Sequence, residues 1–149
     1  MTEKTVSIAS DHRGFPLKSI LSAHMKERGI KVIDFGTMSE DRCDAGDFAQ
    51  KVVSDLHAHP DHLGILICGT GQAMSMTANR YKHIRGALCL NTTMVRLARQ
   101  HNDANVLILG AHVSGQEVAL DCLDAFLTTD FLGGRFAERR DKLTAMGGL

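Results

Sequence analysis

The sequence is poor in aromatic residues and carries no excess charge. It has no tryptophan, one tyrosine and two prolines in 149 residues, and no apolar run approaches the ~20 residues of a membrane-spanning helix. Lys plus Arg and Asp plus Glu both number 17, so the formal net charge is +0. Proteins that bind nucleic acid or membrane surfaces need excess positive charge, so the balance argues against both partners. The N-terminus lacks the apolar core of a signal peptide, and we therefore expect a cytoplasmic protein.

The cysteines show neither a CxxC pair nor zinc-finger spacing, which argues against a disulfide framework and a zinc module. They are Cys43, Cys68, Cys89 and Cys122. We expect Cys89 and Cys122 to be small buried hydrophobic residues in a reducing compartment.

Short apolar runs alternate with segments of helical periodicity along the chain. Strands are predicted at 6–10, 30–35, 65–68, 86–90 and 106–109, and helices at 16–28, 48–56, 72–79, 92–100, 116–128 and from 133 onward. This alternation predicts an α/β fold, a three-layer Rossmann-like sandwich with a five-stranded parallel sheet. The length favours a single domain over 1–149. In the helices, Met74, Met76, Met94, Leu97 and Ala98 are expected to face the core.

The third strand ends at Cys68 and turns through Gly69-Thr70-Gly71 into a helix. Such a corner offers unpaired backbone N–H groups and the positive end of a helix dipole, which suit an anion or an oxyanion. Cys68 is therefore either a core cysteine or a reactive one. Met74 occupies the position at which a dinucleotide-binding fingerprint has its third glycine and at which a Cys-x5-Arg phosphatase has its arginine. No Walker lysine follows the glycines either. The sequence therefore argues against these three kinds of phosphate site.

Polar groups follow several strands, and the carboxyl ends of parallel strands meet at one edge of a sheet. Asp11-His12 follow the first strand, Cys68 ends the third and His112 comes soon after the fifth. We expect them to converge, although Asp11-His12 could instead cap the first helix.

Three further groups of polar residues are open to two interpretations each. His101 to Asn105 could be an ordinary turn. Arg135, Arg139 and Arg140 would by default form a solvated face, yet Arg135 and Arg139 lie one helical turn apart and could share an anion. The connector with His57, His59 and His62 could be a solvated loop or a metal site.

Several longer motifs match a known pattern nearly end to end. They are Asp11-His12-x-Gly14-Phe15-x-Leu17-Lys18, Val32-Ile33-Asp34-x-Gly36-Thr37, Gly64 to Gly71, Ala78-Asn79, Ile84-Arg85, Arg99 to Val106 and Gly133-Gly134-Arg135-x-x-x-Arg139. In these motifs the chain resembles the type B ribose-5-phosphate isomerase family, which includes the galactose-6-phosphate isomerase subunits. The Cys-Gly-Thr-Gly and Gln-His-Asn-Asp-x-Asn blocks carry most of the specificity.

The resemblance implies aldose–ketose isomerisation of a small sugar phosphate, most simply ribose 5-phosphate to ribulose 5-phosphate in the pentose phosphate pathway, without cofactor or metal. It implies a homodimer or tetramer whose active sites are shared between subunits. By this resemblance Cys68 is the base, Thr70 and His101 open the sugar ring, and Asp11 transfers the protons of the hydroxyl groups. Asn102 binds the enediolate, and the backbone N–H groups of residues 69–73, which include Gly69 and Gly71, form the oxyanion hole. The phosphate is bound by His12, Arg135 and Arg139.

The chain departs from the family pattern at five positions. Ala45 and Gly46 replace tyrosine and proline, Ala73 a glycine, His112 an arginine and Phe136 a histidine. These changes favour another phosphosugar or weak activity, and they motivate the alternative of a non-catalytic phosphosugar-binding or regulatory subunit. Some family members use a glutamate at the position of Met74, and methionine cannot titrate.

Overall fold

A five-stranded sheet of parallel strands lies between two layers of helices. The computed structural model describes residues 3–148. In chain order the elements are β1 (Thr5–Ser10), α1 (Phe15–Glu27), β2 (Lys31–Asp34), α2 (Ala45–Ala58), β3 (Leu63–Cys68), α3 (Gln72–Ala78), β4 (Gly86–Leu88), α4 (Thr92–Asn102), β5 (Val106–Gly110), α5 (Gln116–Thr128) and α6 (Arg135–Ala145). The order across the sheet is β2-β1-β3-β5-β4, and every pair of neighbours is parallel. This confirms the predicted Rossmann-like sandwich, and the single domain over 1–149 stays a prediction.

The strands are apolar on both faces because helices cover both. One core cluster joins β1, β3 and β5 to α1, α4 and α5, and a second joins the opposite face to α2 and α3. α6 packs on α4, outside the three layers. Among residues 3–148, no helix is both long and apolar enough to cross a membrane.

The predicted inner face of α4 is wrong. Met94 and Leu97 are 41% and 45% exposed, whereas Val95 and Arg99 are buried. Arg99 is buried because its guanidinium donates hydrogen bonds to the backbone carbonyls of Ala104, at 2.6 Å, and Thr129, at 3.1 Å. The guanidinium also lies over the ring of Phe126. A prediction based only on apolar side chains cannot place an arginine in the core, so it assigns the wrong face of α4 to the interior.

One further inward prediction also fails. Met76 is 65% exposed, while Met74 is fully buried as expected. Met76 lies two residues after Met74 in a helix, so the two side chains point to different faces.

A buried ion pair holds the end of β2 beside β1. Lys18 is 1% exposed, and its Nζ lies 2.6 Å from both carboxylate oxygens of Asp34. Asp34 also accepts the Gly36 N–H at 2.9 Å, and Gly36 accepts the Ser10 N–H at 2.8 Å. The pair therefore stabilises the chain next to Asp11.

At the opposite edge of the sheet, Asp55 is bound by two side chains. It accepts the hydroxyl of Ser7 and contacts Nδ1 of His62 at 2.8 Å. Burial would raise the pKa of Asp55, but the hydrogen bonds of Ser7 and His62 and the charges of His62 and His59 outweigh it, so the pKa is lowered from that of an ordinary aspartate.

We expect Asp55→Asn to lower the free energy of unfolding by about 1–3 kcal/mol at pH 7, since a buried ionic hydrogen-bond acceptor is lost. A carboxyl group whose pKa is lower in the folded than in the unfolded state stabilises the fold fully at pH values above its unfolded-state pKa. This stabilisation is lost as the pH falls through the folded-state pKa. The difference between parent and Asp55→Asn should therefore shrink below about pH 4. Urea unfolding at pH 7 and pH 3 measures it, with exposed Asp61→Asn as control. An equal difference at both pH values contradicts the assignment.

Candidate active site

The carboxyl ends of β1 and β3 border the crevice where the strand order reverses. From β1 the chain crosses to β2 on one side, and from β3 it continues toward β4 and β5 on the other. Ligands of doubly wound folds bind at this point. Asp11 and Cys68 lie here, and the Asp11 N–H donates to Ile67 O at 3.1 Å. The structure thus brings together the first group of predicted site residues.

Cys68 lies at the inner end of this crevice and is 4% exposed. Its Sγ accepts the N–H of Gly71 at 3.1 Å. Gly71 has φ 83, a left-handed conformation that glycine adopts without strain, and this turns its N–H back toward the sulfur. Thr70 is exposed, and its hydroxyl accepts the Gln72 N–H at 3.3 Å. Two of the N–H groups expected in the oxyanion hole therefore have local partners.

The other buried cysteines have a different environment. Burial raises the pKa of Cys89 to about 12, and burial also raises that of Cys122. Both are protonated at neutral pH and lie in the core cluster of α5, as predicted for structural cysteines.

In Asp11 and in His12, one polar side-chain atom accepts hydrogen bonds from backbone N–H groups, and the other can bind a ligand. Asp11 Oδ1 accepts the N–H groups of Arg13 at 3.0 Å and Gly14 at 2.9 Å, which lie in the turn before α1, and no side chain caps this helix, so the capping interpretation is wrong. His12 Nδ1 accepts the N–H of Cys43 at 3.3 Å. With Nδ1 an acceptor, the ring carries its proton on Nε2, which can donate to a ligand oxygen.

His112 also reaches this corner, as predicted. Its N–H donates to Gly69 O at 2.9 Å, and the Ala111 N–H donates to Cys68 O at 2.9 Å. The His112 side chain is exposed. We call Asp11, His12, Cys68 and the loop 69–73 the Cys68 half-site.

A second group of predicted residues gathers around Phe136. The rings of His101 and Phe136 stack with centroids 4.4 Å apart and planes at 7°. The guanidinium groups of Arg135 and Arg139 lie 5.1 and 5.8 Å from the Phe136 centroid. Asn102 follows His101, at the wall of a cavity of about 660 Å³ between α4, α6 and residues 79–87. We call His101, Asn102, Arg135 and Arg139 the His101 half-site.

Arg140 belongs to neither half-site and is not the solvated residue predicted by default. Its Nη1 lies 2.7 Å from the carboxylate of Asp103, whose hydrogen bond raises the pKa of Arg140. Asp103, at φ 51, ends α4 and thereby joins α6 to it. The pair holds the helix that carries Arg135 and Arg139.

The two half-sites lie at opposite edges of the sheet. Cys68 pairs with Gly110 at the carboxyl end of β5, whereas His101 and Asn102 end the helix that leads into its amino end at Val106. The two ends of β5 are four residue steps apart, a distance on the order of 13 Å. One protomer therefore does not join Cys68 to His101.

The histidine-rich connector forms other contacts. His62 binds Asp55, His59 stacks on His62 at 4.6 Å, and His57 contacts His83 at 5.1 Å. Within the described part of the chain, no three or more His, Cys, Asp or Glu residues are grouped so that they could hold a metal ion.

Comparison with known proteins identifies the family. The family model described as Ribose/Galactose Isomerase matches residues 6–143. The chain belongs to the ribose/galactose isomerase family. It is 41% identical over 143 residues to ribose-5-phosphate isomerase B of Escherichia coli, covering 96% of both chains.

Solved structures of this family share the fold across the whole chain. Ribose 5-phosphate isomerase from Thermotoga maritima has a TM-score of 0.94 at 45% identity, covering 97% of this chain and 100% of that one. Ribose-5-phosphate isomerase B from Mycoplasma genitalium, with bound ribulose-5-phosphate, has a TM-score of 0.93 at 38% identity, covering 97% of each.

Three residues that contact these half-sites were not predicted from the sequence. Cys43 orients His12 from a loop distant in sequence, and no local pattern indicates that contact. Phe136 was noted only as a missing histidine, although an aromatic residue between two arginines is a signal for ring stacking. Arg13 is an unspecified position of the family motif. Its positive charge, in a turn between a strand and a helix, is the signal that could have indicated a contact with an anion.

Proposed function

We propose that the protein is an aldose–ketose isomerase of a small sugar phosphate, with Cys68 as the base. The observation that carries the proposal is the crevice at the carboxyl ends of β1 and β3, where Asp11 and His12 follow one strand, Cys68 ends the other, and the Asp11 N–H donates to Ile67 O. We also propose a cytoplasmic location, which the four free cysteines support.

The reaction moves one proton between neighbouring carbons and needs no external oxidant or reductant. The Cys68 thiolate removes the proton from C2 of the aldose, the electrons move into a C1–C2 double bond, and the oxygen at C1 becomes an enediolate oxyanion. The thiol returns the proton to C1. Asp11 moves the proton between the two hydroxyl oxygens, and Asn102 stabilises the oxyanion together with those N–H groups of the loop 69–73 that have no local partner.

The sugar ring must open before this step. Ring opening needs a base for the C1 hydroxyl and an acid for the ring oxygen, roles that we assign to Thr70 and His101. We assign the phosphate to His12, Arg135 and Arg139. His12 Nε2–H suits this role because Cys43 occupies Nδ1. Arg135 and Arg139 suit it because the Phe136 ring holds both guanidinium groups on one side of α6.

We infer that the working unit is at least a homodimer. Cys68 and His101 lie at opposite edges of the sheet, so one complete site requires the Cys68 half-site of one protomer and the His101 half-site of another. α4 carries His101 in its last turn and exposes Met94 and Leu97, and Leu90, just before the helix, is exposed as well, which gives an apolar surface suited to a second copy.

The substrate is ribose 5-phosphate or a related tetrose, pentose or hexose phosphate. Ala45 begins α2 as a half-buried residue, and a Cβ on neighbouring Gly46 would lie 3.4 Å from Thr77 Oγ1, so small residues border α3 here. Alanine at position 45, where the family pattern has tyrosine, favours tests with longer sugars as well as with ribose 5-phosphate.

Proton exchange in heavy water tests the activity directly. We expect incubation with tetrose to hexose phosphates to replace hydrogen by deuterium at C1 or C2 of at least one sugar, seen by NMR. A non-catalytic binding subunit would bind the phosphosugar without exchange. If no sugar of the panel exchanges, the isomerase proposal is wrong and the binding subunit is favoured.

A further inference from the structure

Arg13 stands in a rigid turn directly above the end of β3. Asp11 Oδ1 accepts both the Arg13 and the Gly14 N–H, which fixes the backbone of the turn. A Cβ at Gly14 would lie 2.5 Å from Ile67 O, so only glycine lets the turn approach the strand this closely. The backbone of Arg13 is therefore held beside the Cys68 half-site.

The side chain of Arg13 crosses Gly69. A Cβ at Gly69 would lie 3.1 Å from Cδ and 3.7 Å from Nη1 of Arg13. Gly69 is buried and Arg13 is exposed, so the guanidinium lies on the solvent side of the loop while Cys68 lies on its inner side. Within residues 3–148, Arg13 forms no ion pair. Its charge is available to a ligand.

His12 and His112, two other basic side chains at this corner, are imidazoles and carry no permanent charge. Nδ1 of His12 accepts the N–H of Cys43 at 3.3 Å. His112 donates its backbone N–H to Gly69 O, so residues 13 and 112 flank the same glycine. A phosphate dianion is bound best by a permanent cation with a planar fork of donors, which arginine supplies.

We propose that Arg13 is a further substrate-binding residue, which contacts the phosphate group of the sugar phosphate. The reacting carbons must approach the nearly buried Cys68 sulfur, so the charged end of the substrate extends outward past Gly69 to Arg13. This inference rests on the proposed isomerase function, and it adds a phosphate contact from the protomer that carries Cys68.

Arg13→Gln removes the charge and keeps a polar side chain of similar length. We expect the inhibition constant of inorganic phosphate and the KM of the sugar phosphate to rise about tenfold, the effect of losing a charge-assisted hydrogen bond, with kcat little changed. Arg13→Lys should recover part of the loss. Lys26→Gln, the same charge change at the far end of α1, should leave both constants at the parental values.

The neighbouring position allows a rescue. Because the backbone of residue 112 also contacts Gly69, His112→Arg in the Arg13→Gln background should restore phosphate affinity. Parental constants in Arg13→Gln, or a fall in kcat without a change in KM, would overturn the inference.

Phosphate binding followed by NMR separates the two proposals. If the parent isomerises no sugar phosphate, the proposed function fails, yet the comparison of phosphate affinity between parent and Arg13→Gln still decides the role of Arg13. Weaker binding in Arg13→Gln supports it, and equal binding overturns it.

Discussion

Cys68→Ser is expected to reduce kcat about 10³-fold, within the range of lost general-base catalysis. The serine hydroxyl can still accept the Gly71 N–H that Cys68 Sγ accepts at 3.1 Å, so the loop should keep its conformation. It cannot act as the base because its pKa is far higher than that of a thiol. Binding of the sugar phosphate should change by no more than about threefold, since the lost interaction belongs to the transition state.

Cys89→Ser is the matched control for this result. Cys89 is also buried, and its pKa of about 12 keeps it protonated, so its replacement should leave the turnover per folded protein unchanged. Steady-state rates and NMR titration of the same preparations measure turnover and affinity separately. A Cys68→Ser variant that isomerises at the parental rate would show that another group is the base.

Two inactive variants are expected to restore activity when mixed. Cys68→Ala removes the base from one half-site, and His101→Asn removes the ring-opening group from the other. In a dimer with shared sites, a mixed dimer contains one site with both changes and one intact site. Random exchange of subunits makes half of the dimers mixed, so about a quarter of the parental activity should return.

This experiment depends directly on the placement of the two residues at opposite edges of the sheet. Subunit exchange is verified by native mass spectrometry, and the mixture is assayed beside each variant alone. Cys68→Ala mixed with Cys68→Ser is the control, since its mixed dimers contain no intact site. Verified exchange without recovery of activity would mean that each protomer has a complete site of its own.

The local pattern was enough to predict most elements, because short apolar strands and amphipathic helices are encoded by nearest-neighbour periodicity. The prediction of α5 at 116–128 agrees with its observed bounds, and α2 begins three residues earlier than predicted, at Ala45. α4 shows where the pattern fails. The burial of Arg99 depends on carbonyl groups of Ala104 and Thr129, and only the folded chain brings these close.

The sequence by itself determined that Cys68 ends a buried strand, that glycines turn the chain after it, and that the chain carries the motifs of a sugar-phosphate isomerase. Adjacent residues suffice for these conclusions because strand ends, turns and motifs are local. Only the tertiary structure decided that Arg13 crosses Gly69, that Phe136 stacks on His101, and that the half-sites face away from each other. These relations depend on strand order and helix packing, which join residues far apart in the chain.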